Sequence, residues 1–150
     1  MIIREAEPRD ANYLDELLTR LIHDEAQYDK NLNSKCAVTD NYCSRIGVDG
    51  HKLVLAEDEG KIVGFLYGFI YHVPDIWVQP VAILDALFVD EGYRRMGIAG
   101  MLFSEFKKFA CESGVCRIEL KVISDNIKAL ELYGKLSFRE IKKYMSLDIQ

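Results

Sequence analysis

Residues 81–109 read VAILDALFVDEGYRRMGIAGMLFSEFKKF, and this stretch decides the fold class. Its first nine residues are almost continuously apolar, which is typical of a strand buried on both faces. A glycine-rich turn with two arginines follows, and from Ile98 onward apolar residues recur at helical spacing. Gly114 is placed to end that helix. A buried strand that runs through a turn into an amphipathic helix indicates an α/β protein.

The patterns on either side extend this interpretation to the whole chain. The first half of the chain predicts a strand at 1–7, a helix that starts after Asp10 as N-cap, one or two helices within 23–47 and strands at 52–57 and 61–72. The second half predicts strands at 81–89 and 116–123, a helix at 126–136 and a strand at 138–149, in addition to the helix that starts at Ile98. The two strands at 52–57 and 61–72 are separated by a short turn and predict a hairpin. No linker or repeat interrupts the chain, so we expect one α/β domain over residues 1–150 with a mixed sheet.

Composition restricts the possible partners. The 150 residues include 19 Lys+Arg and 24 Asp+Glu, and the resulting net charge of −5 argues against a nucleic-acid binder, which needs a basic face. The apolar stretches are too short to span a bilayer, and the charged start does not resemble a signal peptide. The four cysteines have neither CxxC nor zinc-finger spacing. We therefore expect a cytoplasmic protein with reduced thiols and no metal, although a disulfide or metal site stays open as the alternative.

The turn at residues 92–97 is suited to phosphate. A P-loop needs GxxxxGK[ST], and here Gly92 and Gly97 have the right gap but Ile98 and Ala99 follow. The dinucleotide pattern GxGxxG is also missing. The first amides of a helix have no internal partner and, with the helix dipole, attract an anion such as a pyrophosphate without any metal. The alternative is an ordinary tight turn with solvated arginines.

Two short motifs occur in this part of the chain. The first is R-x-x-G-x-[GA], which is present as Arg94-Arg95-Met96-Gly97-Ile98-Ala99 after the strand triplet Leu87-Phe88-Val89. The second is N-x-x-A-x-x-x-Y, which is present as Asn126, Ala129 and Tyr133. The two motifs resemble those of the GNAT superfamily of N-acyltransferases, in which the first is the acyl-CoA signature. The glycine that precedes phenylalanine in the family is Ser137 here, before Phe138, which puts the backbone fit at that step in question.

The resemblance implies a fold and a donor site. The fold would be a mixed, mostly antiparallel central sheet with splayed fourth and fifth strands, flanked by about four helices. Backbone groups of Leu87 and Val89 would pair with the pantetheine arm of acetyl-CoA, and the amides from Arg95 to Gly100 would hold the pyrophosphate. Asn126 would bind the pantetheine region. The complete set of expected donor-binding residues is Leu87, Phe88, Val89, Arg94, Arg95, Met96, Gly97, Ile98, Ala99, Gly100 and Asn126.

Two residues are candidates for catalysis. An amine must lose a proton to attack a thioester, and Asp85 is the expected base because a carboxylate within an apolar strand is costly unless it has a partner. Its alternative role is to hold a loop or to mark a bulge. Tyr133 lies, by the resemblance, beside the thioester sulfur and is the expected proton donor to the leaving thiolate. Its alternative role is that of a packed, hydrogen-bonded helix tyrosine.

Other side chains have weaker patterns. Asp24 and Glu25 could attract a cationic amine, and Tyr71 with Trp77 could wall the acceptor pocket. His72 could relay a proton. Lys128 and Lys135 could approach the adenosine 3′-phosphate. For each of these residues, an ordinary packed or solvated side chain is the alternative.

The sequence therefore predicts an acetyl-CoA-dependent N-acetyltransferase that acts on a primary amine of a small molecule by direct attack in a ternary complex. A protein or peptide acceptor and a non-catalytic acyl-CoA-binding regulatory module stay open. No nucleic-acid or membrane partner is expected, and a homodimer is expected by analogy with the family.

Overall fold

The structure is a computed structural model that describes residues 1–150. Its elements are β1 (Ile2–Glu5), α1 (Ala11–Glu25), β2 (His51–Asp58), β3 (Lys61–Tyr71), β4 (Val81–Val89), α2 (Ile98–Glu112), β5 (Ile118–Glu119) and α3 (Ile127–Lys135), with short 3-10 turns at Pro8–Asp10 and Glu91–Tyr93. The strands lie in the order β1-β2-β3-β4-β5, antiparallel from β1 to β4 and parallel between β4 and β5. The predicted mixed, mostly antiparallel sheet is thus confirmed, as is the β2–β3 hairpin.

The sheet has a hydrophobic core on each face. On one face, α2 packs through Leu102 and Phe106 against residues such as Leu84. Gly68 is required there, because a Cβ at that position would lie 2.3 Å from the Phe106 ring. The second core contains side chains from α1, from the segment that follows it and from the other face of the sheet, including Leu14, Leu17, Tyr42, Phe65 and Phe88.

Asp85 marks a β-bulge in β4. Tyr67 pairs with Ala86 and Gly68 pairs with Leu84, so Asp85 is the extra residue with no partner on β3. A shift of one residue reverses the faces of a strand. Leu84 accordingly packs in the core beside α2, whereas Ala86 packs in the core beside α1. The bulge therefore turns Asp85 toward the face that carries α1 and Tyr42.

The fourth and fifth strands separate after a short contact, as predicted. Ala82 pairs with Ile118 and Ile83 with Glu119, and the pairing stops there. The remainder of β4, from Leu84 to Val89, has β3 on one side and an open edge on the other. This splayed edge leads directly to the turn before α2.

Several predicted elements are absent or shorter. Residues 26–50 contain turns and no helix, so that three α-helices, rather than about four, flank the sheet. The predicted strand at 116–123 is reduced to β5, since its pairing ends where β4 diverges. Residues 139–150 form no strand, because a strand needs a hydrogen-bonded neighbour and these residues make no backbone hydrogen bond. No helix has the length and apolar character needed to cross a bilayer.

Asp10 stands at the predicted N-cap position but does not cap α1 with its side chain. Its carboxylate accepts hydrogen bonds from the Arg4 guanidinium at 2.8 and 3.0 Å and from the Glu7 amide at 2.7 Å. The carboxylate is therefore occupied by β1 and the 3-10 turn. The predicted end of α2 is confirmed: the helix stops at Glu112, and Gly114 follows with φ of 76°.

Candidate active site

The turn before α2 presents a row of free amides. Gly97, the N-cap of α2, has φ of 80°, and Arg95 has φ of 63°, so the backbone twice enters the left-handed region. None of the six amides from Arg95 to Gly100 donates to an acceptor within the protein. Backbone N–H groups that alternate between right- and left-handed conformations form a concave site for anions. The strained φ of Arg95 is of the kind that occurs at ligand clamps.

Arg94 is engaged within the protein. Its Nε donates to the Val89 carbonyl at 2.8 Å, and its guanidinium forms an ion pair with Asp24 at 3.0 Å. It also lies 5.8 Å from the centre of the Phe88 ring. Arg94 therefore ties the turn to β4 and to the end of α1. Arg95, in contrast, forms no ion pair, and both Arg95 and Met96 are exposed beside the free amides.

Alternate residues of β4 direct their backbone groups to opposite edges of the strand. The Asp90 amide donates to the Val63 carbonyl of β3 at 2.7 Å, and Phe88 shares that direction. Leu87 and Val89 therefore direct their backbone groups into the gap between β4 and β5, where an added extended chain can pair. Phe88 is instead buried in the core beside α1 and is not brought to the gap.

Helix α3 and its N-cap contain the residues of the second motif. Asn126 is its N-cap, and the side-chain oxygen accepts from the Ala129 amide at 3.2 Å, which leaves the side-chain NH₂ group available. Near the other end of the helix, the Tyr133 ring packs edge to face on Phe138 with centroids 5.7 Å apart. Burial raises the pKa of Tyr133 to about 12, helped by the charge of Glu25, so the phenol stays protonated at neutral pH.

Two carboxylates lie near Tyr133 and the β4 bulge. Glu25, the last residue of α1, has a pKa raised by burial and by the negative charges of Asp24 and Asp85. Asp85 reaches solvent in part, yet the surrounding protein raises its pKa, against the opposing effect of Arg45 and Lys121. A carboxylate whose pKa is raised is a stronger proton acceptor than an ordinary carboxylate.

The segment after α1 closes over this face of the sheet. The buried Asp15 carboxylate accepts from the Tyr42 amide at 3.2 Å, and Thr19 Oγ1 accepts from the Val38 amide at 3.0 Å. Tyr42 is fully buried, and its hydroxyl has no hydrogen-bond partner. Burial and the nearby Asp85 charge raise the pKa of Tyr42, so its hydroxyl is a neutral donor on the side of Asp85.

Aromatic side chains of β3 and β2 pack next to Tyr42. Tyr42 and Tyr67 meet edge to face at 5.2 Å, and Nδ1 of His51 lies 2.8 Å from the Tyr67 hydroxyl. The Arg45 guanidinium lies 5.2 Å from the centre of the Tyr67 ring. We call Glu25, Tyr42, Arg45, Tyr67 and Asp85 the acceptor cluster.

Other predicted side chains lie outside this cluster. Tyr71 and Trp77 pack on each other at 5.3 Å, and His72 is exposed after β3. Lys128 and Lys135 are exposed on α3. A cleft of about 430 Å³ near Trp77 is lined by the start of β4, by β5 and by Lys142, and it contains none of the predicted catalytic residues. The acceptor cluster is the better candidate, because it combines charge, burial and the open edge of β4.

Three members of the cluster were missed as site residues by the sequence analysis. Tyr42 and Arg45 lie in an irregular segment whose docking depends on the buried Asp15. Tyr67 is one of several aromatic residues in an apolar strand and has no distinguishing neighbour in sequence. One signal was available in the sequence. Tyr42 and Arg45 lie three residues apart within a polar segment, and the apolar strand at 81–89 is interrupted by Asp85.

Comparison with known proteins identifies the family. The model of the acetyltransferase (GNAT) family matches residues 15–138. A thialysine N-epsilon-acetyltransferase from Sus scrofa is 26% identical over 152 residues, which cover 94% of this chain and 85% of the relative. The enzyme of the same name from Caenorhabditis elegans is 24% identical, with coverage of 85% and 79%. An L-ornithine N5-acetyltransferase from Arabidopsis thaliana is 28% identical, with coverage of 55% and 36%.

Solved structures show the same fold. A mutant of the BH1408 protein from Bacillus halodurans superposes with a TM-score of 0.90 at 23% identity, over the whole of both chains. An aminoglycoside N-acetyltransferase in complex with CoA superposes with a TM-score of 0.75 at 18% identity, covering 99% of each chain. At these identities the likeness shows the fold alone.

Proposed function

Because this chain belongs to the acetyltransferase (GNAT) family, we propose that it transfers an acetyl group from acetyl-CoA to a primary amine of a small molecule. The transfer would occur by direct attack in a ternary complex. The observation that carries the proposal is the row of unpartnered amides from Arg95 to Gly100, which lies at the end of the open edge of β4. The relatives named for thialysine and ornithine, both small amines, favour a small acceptor.

The donor would lie along the open edge of β4. Amides at the N-terminus of α2 would hold the pyrophosphate, which benefits from the positive end of the helix dipole. The backbone groups of Leu87 and Val89 would form hydrogen bonds with the pantetheine arm. The Val89 carbonyl already accepts from Arg94, so its amide is the freer group. Asn126 would use its free NH₂ group, since its oxygen caps α3.

The reaction needs a base, an oxyanion donor and an acid. The amine nitrogen would attack the thioester carbonyl carbon, and its excess proton would pass to Asp85, directly or through a water. A strand amide near Leu87 would stabilise the oxyanion. The C–S bond would then break, and Tyr133 would protonate the thiolate to release CoA. The raised pKa values of Asp85 and Tyr133 support these roles, since Asp85 can accept a proton and Tyr133 retains one.

Thermal unfolding with acetyl-CoA, CoA, NAD and ATP in parallel tests the donor site. A ligand at 100 times its dissociation constant adds about 2.7 kcal/mol of stability. We expect acetyl-CoA and CoA alone to raise the melting temperature. A shift with NAD or ATP and none with acetyl-CoA would overturn the assignment of the turn.

We also propose that the protein is cytoplasmic and forms a homodimer through its C-terminal segment. The four cysteines are all free, which supports a reducing compartment. Residues 139–150 make no backbone hydrogen bond, and Met145, Leu147 and Ile149 are 85–91% exposed on alternate positions. This pattern is that of a strand without a partner, and the outer edge of β5 is open in the same chain.

Light scattering tests the dimer. The wild type should have twice the 17.2 kDa mass of one chain, and Leu147→Asp should shift it to the monomer. A wild type that is monomeric at all concentrations would refute the dimer without affecting the proposed reaction.

A further inference from the structure

We propose that Arg45 binds a carboxylate of the acceptor, so that the acceptor is an amino acid that carries its reactive amine on the side chain. This inference rests on the proposed acetyl transfer and names its substrate class. It concerns the end of the acceptor that does not react.

Arg45 stands out among the arginines of the chain. Three arginines, Arg45, Arg95 and Arg139, form no ion pair. Arg95 and Arg139 are exposed, whereas Arg45 is half-buried. A half-buried guanidinium without a carboxylate partner is costly, because its donors are partly removed from water. A planar guanidinium is also the side chain best suited to bind a carboxylate through two hydrogen bonds.

The position of Arg45 is fixed by its surroundings. Tyr42, three residues earlier, is buried and anchored by Asp15 through its backbone amide at 3.2 Å. The Arg45 guanidinium then lies over the Tyr67 ring at 5.2 Å. An arginine held against an aromatic ring loses less side-chain freedom when it binds a ligand than a fully solvated arginine does.

The strand register places Arg45 on the same face as the predicted base. Tyr67, beneath the guanidinium, pairs with Ala86, and Asp85 is the adjacent bulge residue turned toward that face. No carboxylate oxygen, including those of Asp85, lies within 4.0 Å of Arg45. The cluster therefore has negative groups, Asp85 and Glu25, and a separate positive group, Arg45. An acceptor with an ammonium at one end and a carboxylate at the other matches both.

Matched acceptors test this assignment. L-Lysine and L-lysinamide differ in one negative charge, as do L-ornithine and L-ornithinamide, and cadaverine and putrescine remove the whole carboxylate. We expect the wild type to prefer each amino acid over its amide by about 10- to 100-fold in kcat/KM, mainly through KM, the usual range for a charged hydrogen bond. Arg45→Gln should abolish this preference, and Arg45→Lys should retain part of it.

Controls separate binding from stability. Arg139→Gln removes an exposed, unpaired arginine and should leave the preference unchanged. The ratio within a pair of acceptors does not depend on how much folded enzyme is present. Equal use of amino acids and amides by the wild type, or an equal loss for both in Arg45→Gln, would overturn the role of Arg45. Absence of transfer to every amine would instead refute the proposed function itself.

Discussion

The ring of Tyr133 meets that of Phe138 edge to face, with centroids 5.7 Å apart, and Phe138 packs in turn on Phe103 of α2 at 5.4 Å. The end of α3 is thus fixed to the helix whose first amides face the expected pyrophosphate. This connection sets the phenol in a constant position relative to the donor site. It also gives the step from Ser137 to Phe138 a structural role, because Phe138 joins α3 to α2.

Tyr133→Phe keeps the packed ring and removes the proton donor. We expect turnover to fall by about 100-fold or more, since positioned acids contribute factors of that size. The affinity for acetyl-CoA, measured by calorimetry, should stay within about twofold. Tyr144→Phe, which alters an exposed phenol in the C-terminal segment, is the matched control and should leave turnover unchanged. Full turnover in Tyr133→Phe would remove Tyr133 from the acid role.

Asp85→Asn should lower kcat/KM by about 100-fold and remove one ascending limb of the pH–rate profile. Burial raises the pKa of Asp85 in the folded state, so activity that requires its carboxylate form rises with pH through that raised value. Asp49→Asn, at an exposed turn, is the control. An unchanged profile in Asp85→Asn would show that another group is the base.

The same pKa shift predicts an effect on stability. Between the unfolded-state pKa of Asp85 and its higher folded-state value, the native protein binds more protons, so the free energy of unfolding falls as pH rises. At neutral pH the carboxylate form is therefore destabilising. Asp85→Asn should melt at a higher temperature than the wild type at pH 7, and this difference should shrink below the unfolded-state pKa. A lower melting temperature at pH 7 would contradict this assignment.

Asp10 should have the opposite dependence. The hydrogen bond from Arg4 lowers the pKa of Asp10, so its contribution to stability is complete above the unfolded-state pKa and is lost as pH falls through the folded-state value. Asp10→Asn should cost roughly 1–3 kcal/mol at pH 7, since Asp10 is buried, and less in acid. Glu140→Gln, in an exposed ion pair with Lys143, should cost under about 1 kcal/mol. Denaturant unfolding at several pH values measures both.

Ser137→Gly should stabilise the protein. Ser137 has φ of 72°, a conformation that costs a non-glycine residue about 1–2 kcal/mol, while glycine adds some entropy to the unfolded chain. The net gain should be about 0.5–1 kcal/mol. Ser146→Gly, which has no positive φ, should give no gain. If both variants lose stability equally, the positive φ of Ser137 does not cost the native protein stability.

The sequence was sufficient for most of the fold because the deciding signals are local. A nine-residue stretch that is apolar except for Asp85 predicted β4, and helical spacing from Ile98 predicted α2. The glycine-rich turn between β4 and α2 predicted the free amides. These features depend on periodicity and on the conformational range of glycine, which a sequence displays directly.

The acceptor cluster could not be predicted in the same way. Arg45 reaches Tyr67 only because Asp15 anchors Tyr42 across the chain, and Asp85 turns toward them only because the register shifts at Gly68. Likewise, the alternation in residues 138–149 predicted a strand, but residues 139–150 make no backbone hydrogen bond to another segment. Long-range docking and strand register are tertiary properties, and they determine the proposed acceptor side of the site.

The most direct test of the account is acetyl transfer itself. Acetyl-CoA labelled with ¹³C at the carbonyl is mixed with enzyme and L-lysine, and the carbonyl signal is followed by NMR. We expect the thioester signal to be replaced by an amide signal on the side-chain nitrogen, at a rate proportional to enzyme concentration. Tight binding of acetyl-CoA without transfer to lysine, ornithine, diamines or aminoglycosides would contradict the account. If peptides are not acetylated either, the result indicates a non-catalytic acyl-CoA-binding module.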